Sequence, residues 1–183
     1  SLTAIFLTLI IGGITFSGSL VAYGKLSEIL PGRQITFKGQ RIVLVAIFIA
    51  ALLFGAQLIF NFQIAEGWNP LFSFLLLISF SLVIGLLITL PIGGADMPVI
   101  IALLNSYSGL AASAAGFVIN NNVLIVAGAL VGASGLILTN IMCKAMNRSL
   151  ANVVFGSIAS SSSGAVNPEE VGEIKPINVS DAY

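Results

Sequence analysis

Histidine is absent from this 183-residue chain, and cysteine occurs once, at Cys143. The missing histidine removes the commonest metal ligand and proton shuttle, and a single cysteine excludes an intrachain disulfide. Charged residues are also scarce, at 8%, whereas soluble domains carry about 25%. The formal net charge is zero, so the composition gives no indication of nucleic-acid binding.

Apolar residues take the place of the missing charge, at 57% of the chain with a mean hydropathy of +1.08. A helix needs about 20 apolar residues to cross a bilayer core of about 30 Å. Five segments satisfy this requirement: 2–23, 42–60, 71–90, 97–119 and 123–143. They lack the alternating pattern of barrel strands. The sequence therefore predicts an all-α, polytopic transmembrane helical bundle with five spans within residues 1–155.

The basic residues near the spans predict the orientation of the bundle. They lie in the first connection and after the fifth span: Lys25, Arg33, Lys38, Arg41, Lys144 and Arg148. The connections on the other side carry no Lys or Arg, and one of them holds Trp68. Because basic residues favour the cytoplasmic side, we expect the N-terminus outside and the C-terminus in the cytoplasm.

The composition changes after residue 155. Residues 156–183 are rich in Ser, Gly and acidic side chains, and such a segment buries too little apolar surface to fold alone. We expect a flexible cytoplasmic linker that leads to a further domain. The chain also begins without Met, so we expect it to be part of a larger protein.

Small or polar residues recur at helical spacing in three of the predicted spans. The three stripes are Thr8, Gly12, Thr15 and Ser19; Asn105, Gly109, Ala112 and Gly116; and Gly128, Gly132, Gly135 and Thr139. Small residues let helix backbones approach closely in a membrane. We therefore expect Gly109, Gly128, Gly132 and Gly135 to serve helix packing.

Packing does not account equally well for Asn105, an amide near the middle of the fourth span. We expect it to lie inside the bundle, where it either bonds to a neighbouring helix or faces a water-filled path. The second reading makes Asn105 part of a proton path, together with four hydroxyl residues: Thr15, Ser19, Ser108 and Ser134. None of these side chains changes charge near neutral pH, so the titrating group is missing from these spans.

Asp96 immediately precedes the fourth span, ahead of Met97 and Pro98. Asp is a favoured N-cap and Pro is tolerated in the first helical turn, so a capping role explains it. A second reading gives it a partner at the same membrane surface, where Arg148 is also expected. The residues alone leave both readings open.

Three segments carry a resemblance to a known family: "GITFSGSLVAYGKL", "GGADMPVIIALLNSYSGLAASAAGF" and "GALVGASGLILTNIMCKAMNRS". They resemble the membrane domain of the beta subunit of proton-translocating NAD(P) transhydrogenase. The resemblance implies an inner-membrane enzyme that couples hydride transfer between NAD(H) and NADP(H) to proton movement. The nucleotide-binding domains would lie outside this chain, which lacks their Gly-rich fingerprint. It also implies that this chain itself holds no catalytic, cofactor-binding or metal-binding residue.

The resemblance implies roles for individual residues. Asn105 would lie in the proton path, and Asp96, Lys144 and Arg148 would couple it to the NADP(H)-binding domain. Ala133 stands where relatives often have Ser, which removes a hydroxyl. The family's membrane helices that precede this point include one with a His implicated in protonation, so the titrating group would come from outside this chain.

The implied partners are the remaining membrane helices of the alpha and beta subunits, the NADP(H)-binding domain and the NAD(H)-binding alpha subunit. A homodimer of alpha–beta units in the lipid bilayer is also implied. Two other functions remain open from the residues: a passive membrane scaffold, and a fragment of a small-solute transporter. A dry interior around Asn105 would favour the scaffold, and inverted repeats would favour the transporter.

Overall fold

A computed structural model describes residues 2–60, 70–147 and 149–153. Its main elements are α1 (Leu2–Leu26), α2 (Gln40–Phe60), α3 (Pro70–Thr89), α4 (Met97–Ile119) and α5 (Asn122–Ala145). A short 3₁₀ turn, Gly94–Asp96, precedes α4. All five α-helices are long and apolar enough to cross a membrane. The prediction of an all-α fold with five spans is confirmed.

The helices form a row whose order differs from their order in the chain. α1 packs against both α3 and α4, while α2 packs mainly on α3 and α5 mainly on α4. The spatial order is therefore α2, α3, α1, α4, α5. α4 is the most buried of the five helices, and α2, at one end of the row, is the least buried.

Asparagine makes the tight connection between α4 and α5. Asn120 ends α4 in the left-handed conformation, with φ 54° and ψ 41°, a conformation that Asn tolerates better than most residues. The side chain of Asn121 accepts hydrogen bonds from the amides of Val123 and Leu124, at 3.1 and 3.2 Å, and so caps the first turn of α5. The two helices are consequently antiparallel neighbours.

Two apolar clusters hold the row together. One contains Ile10, Ala51, Leu77 and Ile84 and joins α1, α2 and α3. The other lies where α4 begins, and its buried members are Ala22, Ile92, Met97, Val99, Ile100, Leu104, Cys143 and Val153. Val153 follows α5, so the chain beyond α5 folds back against the start of α4.

The second cluster lies at one end of the bundle. We call this end the Asp96 end, and define it by Lys25, Gln40, Thr89, Asp96 and Cys143. There α1, α3 and α5 terminate, and α2 and α4 begin. All five of these side chains are buried. Four of them are polar or charged residues at the ends of apolar helices, namely Lys25, Gln40, Thr89 and Asp96. The Asp96 end is therefore an ordered polar layer above the apolar core.

Candidate functional site

Glycine brings α4 and α5 into direct backbone contact. A Cβ added at Gly109 would lie 2.6 Å from the backbone nitrogen of Gly132, and one at Gly128 would collide with the backbone of Ser113. At Gly135 an added Cβ would lie 2.8 Å from the Cα of Ser106. The structure thus brings together all four of the glycines assigned to packing.

Serine hydroxyls bridge the same interface. Ser106 Oγ donates to the carbonyl oxygen of Gly132 at 2.5 Å, and Ser113 Oγ donates to that of Ile125 at 3.0 Å. Ser106 is completely buried. Neither Ser106 nor Ser113 was among the predicted packing residues. The sequence does contain a signal for them, because Ser106, Gly109, Ser113 and Gly116 are all small and share one face of α4.

Asn105 lies outside this interface. We expected it inside the bundle, but the structure exposes it on an outward face of α4. Its carboxamide makes no hydrogen bond to the described part of the chain. Asn105 belongs to a face on which small and polar residues follow at alternating spacings of three and four: Asn105, Ser108, Ala112 and Ala115. The other exposed side of α4 carries large side chains, including Tyr107 and Phe117.

The contact between α1 and α4 shows where Asn105 faces. A Cβ at Gly18 would lie 3.2 Å from a methyl group of Leu104, so these two residues are at the same depth. α1 and α4 are antiparallel, and a step of one residue rotates the side chain by about 100° along each helix. The next residues, Ser19 and Asn105, therefore turn to the same side of the pair. Both are exposed.

We call this feature the α1–α4 groove, defined by Thr15 and Ser19 on α1 and by Asn105 and Ser108 on α4. Thr15 is buried at its edge and donates to the carbonyl oxygen of Gly12 at 3.0 Å. Ser108 donates to the carbonyl oxygen of Leu104 at 3.0 Å. Each hydroxyl still has lone pairs with which to accept a hydrogen bond. The groove is thus a polar strip within an apolar helix pair.

Ser134 does not join the groove. It is exposed on α5, and its hydroxyl donates to the carbonyl oxygen of Val131 at 3.1 Å. Because α4 lies between α1 and α5 in the row, Ser134 is separated from Thr15 and Ser19. Of the five residues predicted for the proton path, the structure brings four together.

Asp96 occupies the N-cap position of α4, with φ −92° and ψ −3°, but its side chain makes no capping hydrogen bond. It is 9% exposed. The capping explanation therefore does not account for its side chain, even though Pro98 stands at the helix start as expected. Asp96 is an acidic group held at the bundle end by a short 3₁₀ turn.

A protein-family model that matches the chain identifies the family to which the chain belongs. The model is described as NAD(P) transhydrogenase beta subunit, and it matches residues 1–183. The chain belongs to this family. Two curated relatives, both named NAD(P) transhydrogenase subunit beta and both from Rhodospirillum rubrum, are 45% identical over 160 residues. The alignment covers 87% of this chain and 33% of each relative.

The chain therefore spans about a third of the length of these relatives. With five candidate spans, it belongs to the membrane part of the NAD(P) transhydrogenase beta subunit. The resemblance stated from the three sequence segments is confirmed.

The remaining predicted coupling residues are only partly described. Lys144 is exposed near the end of α5, at the same end of the bundle as Asp96. Arg148 lies outside the described residues, as do Trp68 and the predicted linker at 156–183. Ala133 is exposed on α5, and the structure gives no packing reason for the missing hydroxyl there.

Proposed function

We propose that this chain is the proton-translocating segment of NAD(P) transhydrogenase. It would couple proton movement to hydride transfer between NAD(H) and NADP(H), in domains outside this chain. Family membership supports the parent activity, and the observation that carries the proton role is the α1–α4 groove. Four polar residues, Thr15, Ser19, Asn105 and Ser108, face one side of an antiparallel helix pair.

The polar side chains of the groove need a covering other than lipid. Polar side chains in membrane spans are costly when they face lipid, and they usually face a bundle interior or a water-filled cavity. Asn105 has no partner in the described part of this chain. We therefore assign its partners to water and to the remaining membrane helices of the alpha and beta subunits.

The titrating group is also assigned to those helices. The groove offers one carboxamide and three hydroxyls, which donate and accept hydrogen bonds but keep their charge near neutral pH. Such groups can order a chain of water molecules next to a group that binds and releases a proton. This chain would supply the lining of the path, and a neighbouring helix would supply the switch.

Three charged residues near the Asp96 end would carry the coupling. Asp96, Lys144 and Arg148 would contact the NADP(H)-binding domain, with residues 156–183 as the linker to it and this end in the cytoplasm. The clustering of basic residues at this end supports that orientation. The NAD(H)-binding alpha subunit and a homodimer of alpha–beta units complete the proposed assembly. Coupling requires that the docked domain contact the Asp96 end differently in two states.

The test replaces Asn105 with Leu in the intact enzyme. The expected result is a loss of proton pumping of about tenfold or more, with hydride transfer between nucleotides affected less, because the apolar side chain would interrupt the water path. Proton uptake into vesicles and nucleotide reduction are measured on the same preparation. Tyr107→Phe is the matched control, since it removes a hydroxyl from the opposite face of α4.

Normal pumping by Asn105→Leu would reject the proton role of the groove. An equal loss with Tyr107→Phe would also reject it, because the effect would then belong to α4 as a whole. Asn105→Gln keeps the amide and is expected to retain a larger part of the pumping than Asn105→Leu.

A further inference from the structure

Lys25 is a buried cation to which nothing above assigns a function. It lies in the last turn of α1 and is only 4% exposed. Its Nζ donates to the carbonyl oxygens of Leu90 and Ile92, at 2.5 and 2.7 Å, and approaches that of Arg33 at 3.5 Å. An ammonium group at such a site needs strong acceptors, because burying a charge without partners is very costly.

The acceptors lie between α3 and α4. Helix α3 ends at Thr89, and the 3₁₀ turn that carries Asp96 begins at Gly94. Leu90 and Ile92 are in the short connection between them, so the ammonium holds the segment that places Asp96. We call Lys25 with these two carbonyl oxygens the Lys25 clamp. Charge-assisted hydrogen bonds of this kind are roughly twice as strong as neutral ones.

The first connection supports the same segment from outside. The amide of Gly94 donates to the carbonyl oxygen of Gly32 at 2.8 Å, and the amide of Ile35 donates to that of Leu90 at 3.3 Å. These bonds are neutral and come from an exposed connection. Lys25 differs from them because it joins the segment directly to the end of a membrane helix.

That helix also lines the groove. Ser19 precedes Lys25 by six residues, which corresponds to a rise of about 9 Å along α1. A displacement or rotation of α1 at the groove would therefore reach the ammonium through one continuous helix. The clamp would then pass it to the carbonyl of Ile92 and to the turn before Asp96.

We propose that Lys25 is a positioning residue that links the α1–α4 groove to Asp96 through the connection between α3 and α4. This inference rests on the proposed function, and it adds a physical connection between the groove and Asp96. A purely structural alternative exists, since a lysine near a helix C-terminus stabilises the terminal carbonyls in any case. The experiment must therefore separate positioning from simple stabilisation.

Gln40 provides the matched control. It is also buried at the Asp96 end, and its Nε2 donates to the carbonyl oxygen of Leu87 at 2.8 Å. That acceptor lies inside α3, before the connection that carries Asp96. Gln40→Met therefore removes a buried hydrogen bond from the same end of the bundle and leaves the Lys25 clamp in place.

The experiment compares Lys25→Met, Lys25→Arg and Gln40→Met in the intact enzyme. Hydrogen exchange is measured on peptides that cover residues 90–98, and protons pumped per hydride transferred are measured on the same preparations. For Lys25→Met we expect hydrogen exchange about tenfold faster, because losing a charge-assisted hydrogen bond has an effect of this size. We also expect a clear fall in the number of protons pumped per hydride transferred. Lys25→Arg keeps a cationic donor and should restore much of both, and Gln40→Met should change neither.

Unchanged exchange in Lys25→Met would overturn the clamp itself. Faster exchange with a normal ratio, or an equal fall in the ratio with Gln40→Met, would reduce Lys25 to a stabilising residue. These outcomes are distinct from a failure of the proposed function, which the Asn105 variants decide. The exchange measurement also tests the clamp without any assumption about proton movement.

Discussion

The pair α4–α5 and the pair α2–α3 are both packed helices within one apolar row, but they are held in different ways. Between α4 and α5, glycine backbones touch and two serines bond across the interface. Between α2 and α3, large side chains make the contact, including a tilted ring pair of Phe54 and Phe80 with centroids 5.7 Å apart.

The difference concerns how far each pair can adjust. Side chains of the size of Phe and Leu have alternative rotamers, whereas two backbones in contact have none. The α4–α5 pair therefore fixes the rotation of α4, and with it the direction of Asn105. The close α4–α5 contact therefore sets the orientation of the α4 side of the groove, whereas the α2–α3 contact does not involve the groove.

Of the substitutions that test this difference, Gly109→Ala should destabilise the protein most. The new Cβ would meet backbone atoms of Gly132 and Gly128 at 2.6 and 2.9 Å, and a backbone cannot move aside as a side chain can. We expect a loss of about 1–3 kcal/mol in the free energy of unfolding. Thermal unfolding of the detergent-solubilised protein measures it.

Gly32→Ala is the control for that measurement, because a Cβ there meets nothing within 4 Å. Its unfolding temperature should stay close to that of the unsubstituted protein. Equal unfolding temperatures for Gly109→Ala and Gly32→Ala would show that α4 and α5 are not in backbone contact.

Gly55→Ala should have an intermediate effect on the other side of the row. The new Cβ would collide with the outer ring atoms of Phe6, and that ring can rotate away. The cost of an off-rotamer side chain is about 0.5–1.5 kcal/mol. Unfolding is followed as for Gly109→Ala. A larger loss here than at Gly109 would show that this side-chain contact between α2 and α1 adjusts no better than the backbone contact between α4 and α5.

Ser106→Ala should have the smallest effect. It removes the hydrogen bond to the carbonyl oxygen of Gly132 but leaves the close backbone contact intact. Hydrogen bonds between membrane helices contribute about 0.6 kcal/mol on average. Ser79→Ala is the comparison, because Ser79 is exposed on α3 and bonds only within its own helix, to the carbonyl oxygen of Leu75. A greater loss from Ser79→Ala would argue against the bridging role of Ser106.

Hydrophobic run length predicted the five helices, because a span needs a minimum number of apolar residues. It did not predict the spatial order, in which α1 lies between α3 and α4. The spacing of small residues also did not show which of two faces of α4 packs against α5. Asn105 and Ser106 each head a series of small residues, and only the contact with α5 shows that Ser106 faces the interface.

Lys25 shows a different limit of the sequence. The sequence places it in the first connection, where it indicates orientation, because a lysine after an apolar run usually lies at a membrane surface. The structure continues α1 to Leu26 and buries the ammonium on carbonyl oxygens about 65 residues further along the chain. No local pattern carries that information, since main-chain carbonyls are present at every residue.

If the α1–α4 groove contacts water within the membrane, a cysteine placed in it should react with a water-soluble thiol reagent. Asn105→Cys and Tyr107→Cys are prepared in the intact enzyme in native membranes and treated with a water-soluble thiol reagent. Cys143, which is only 2% exposed, serves as the protected reference. We expect rapid labelling at position 105 and little at position 107. Protection at position 105 equal to that at position 107 would contradict this expectation.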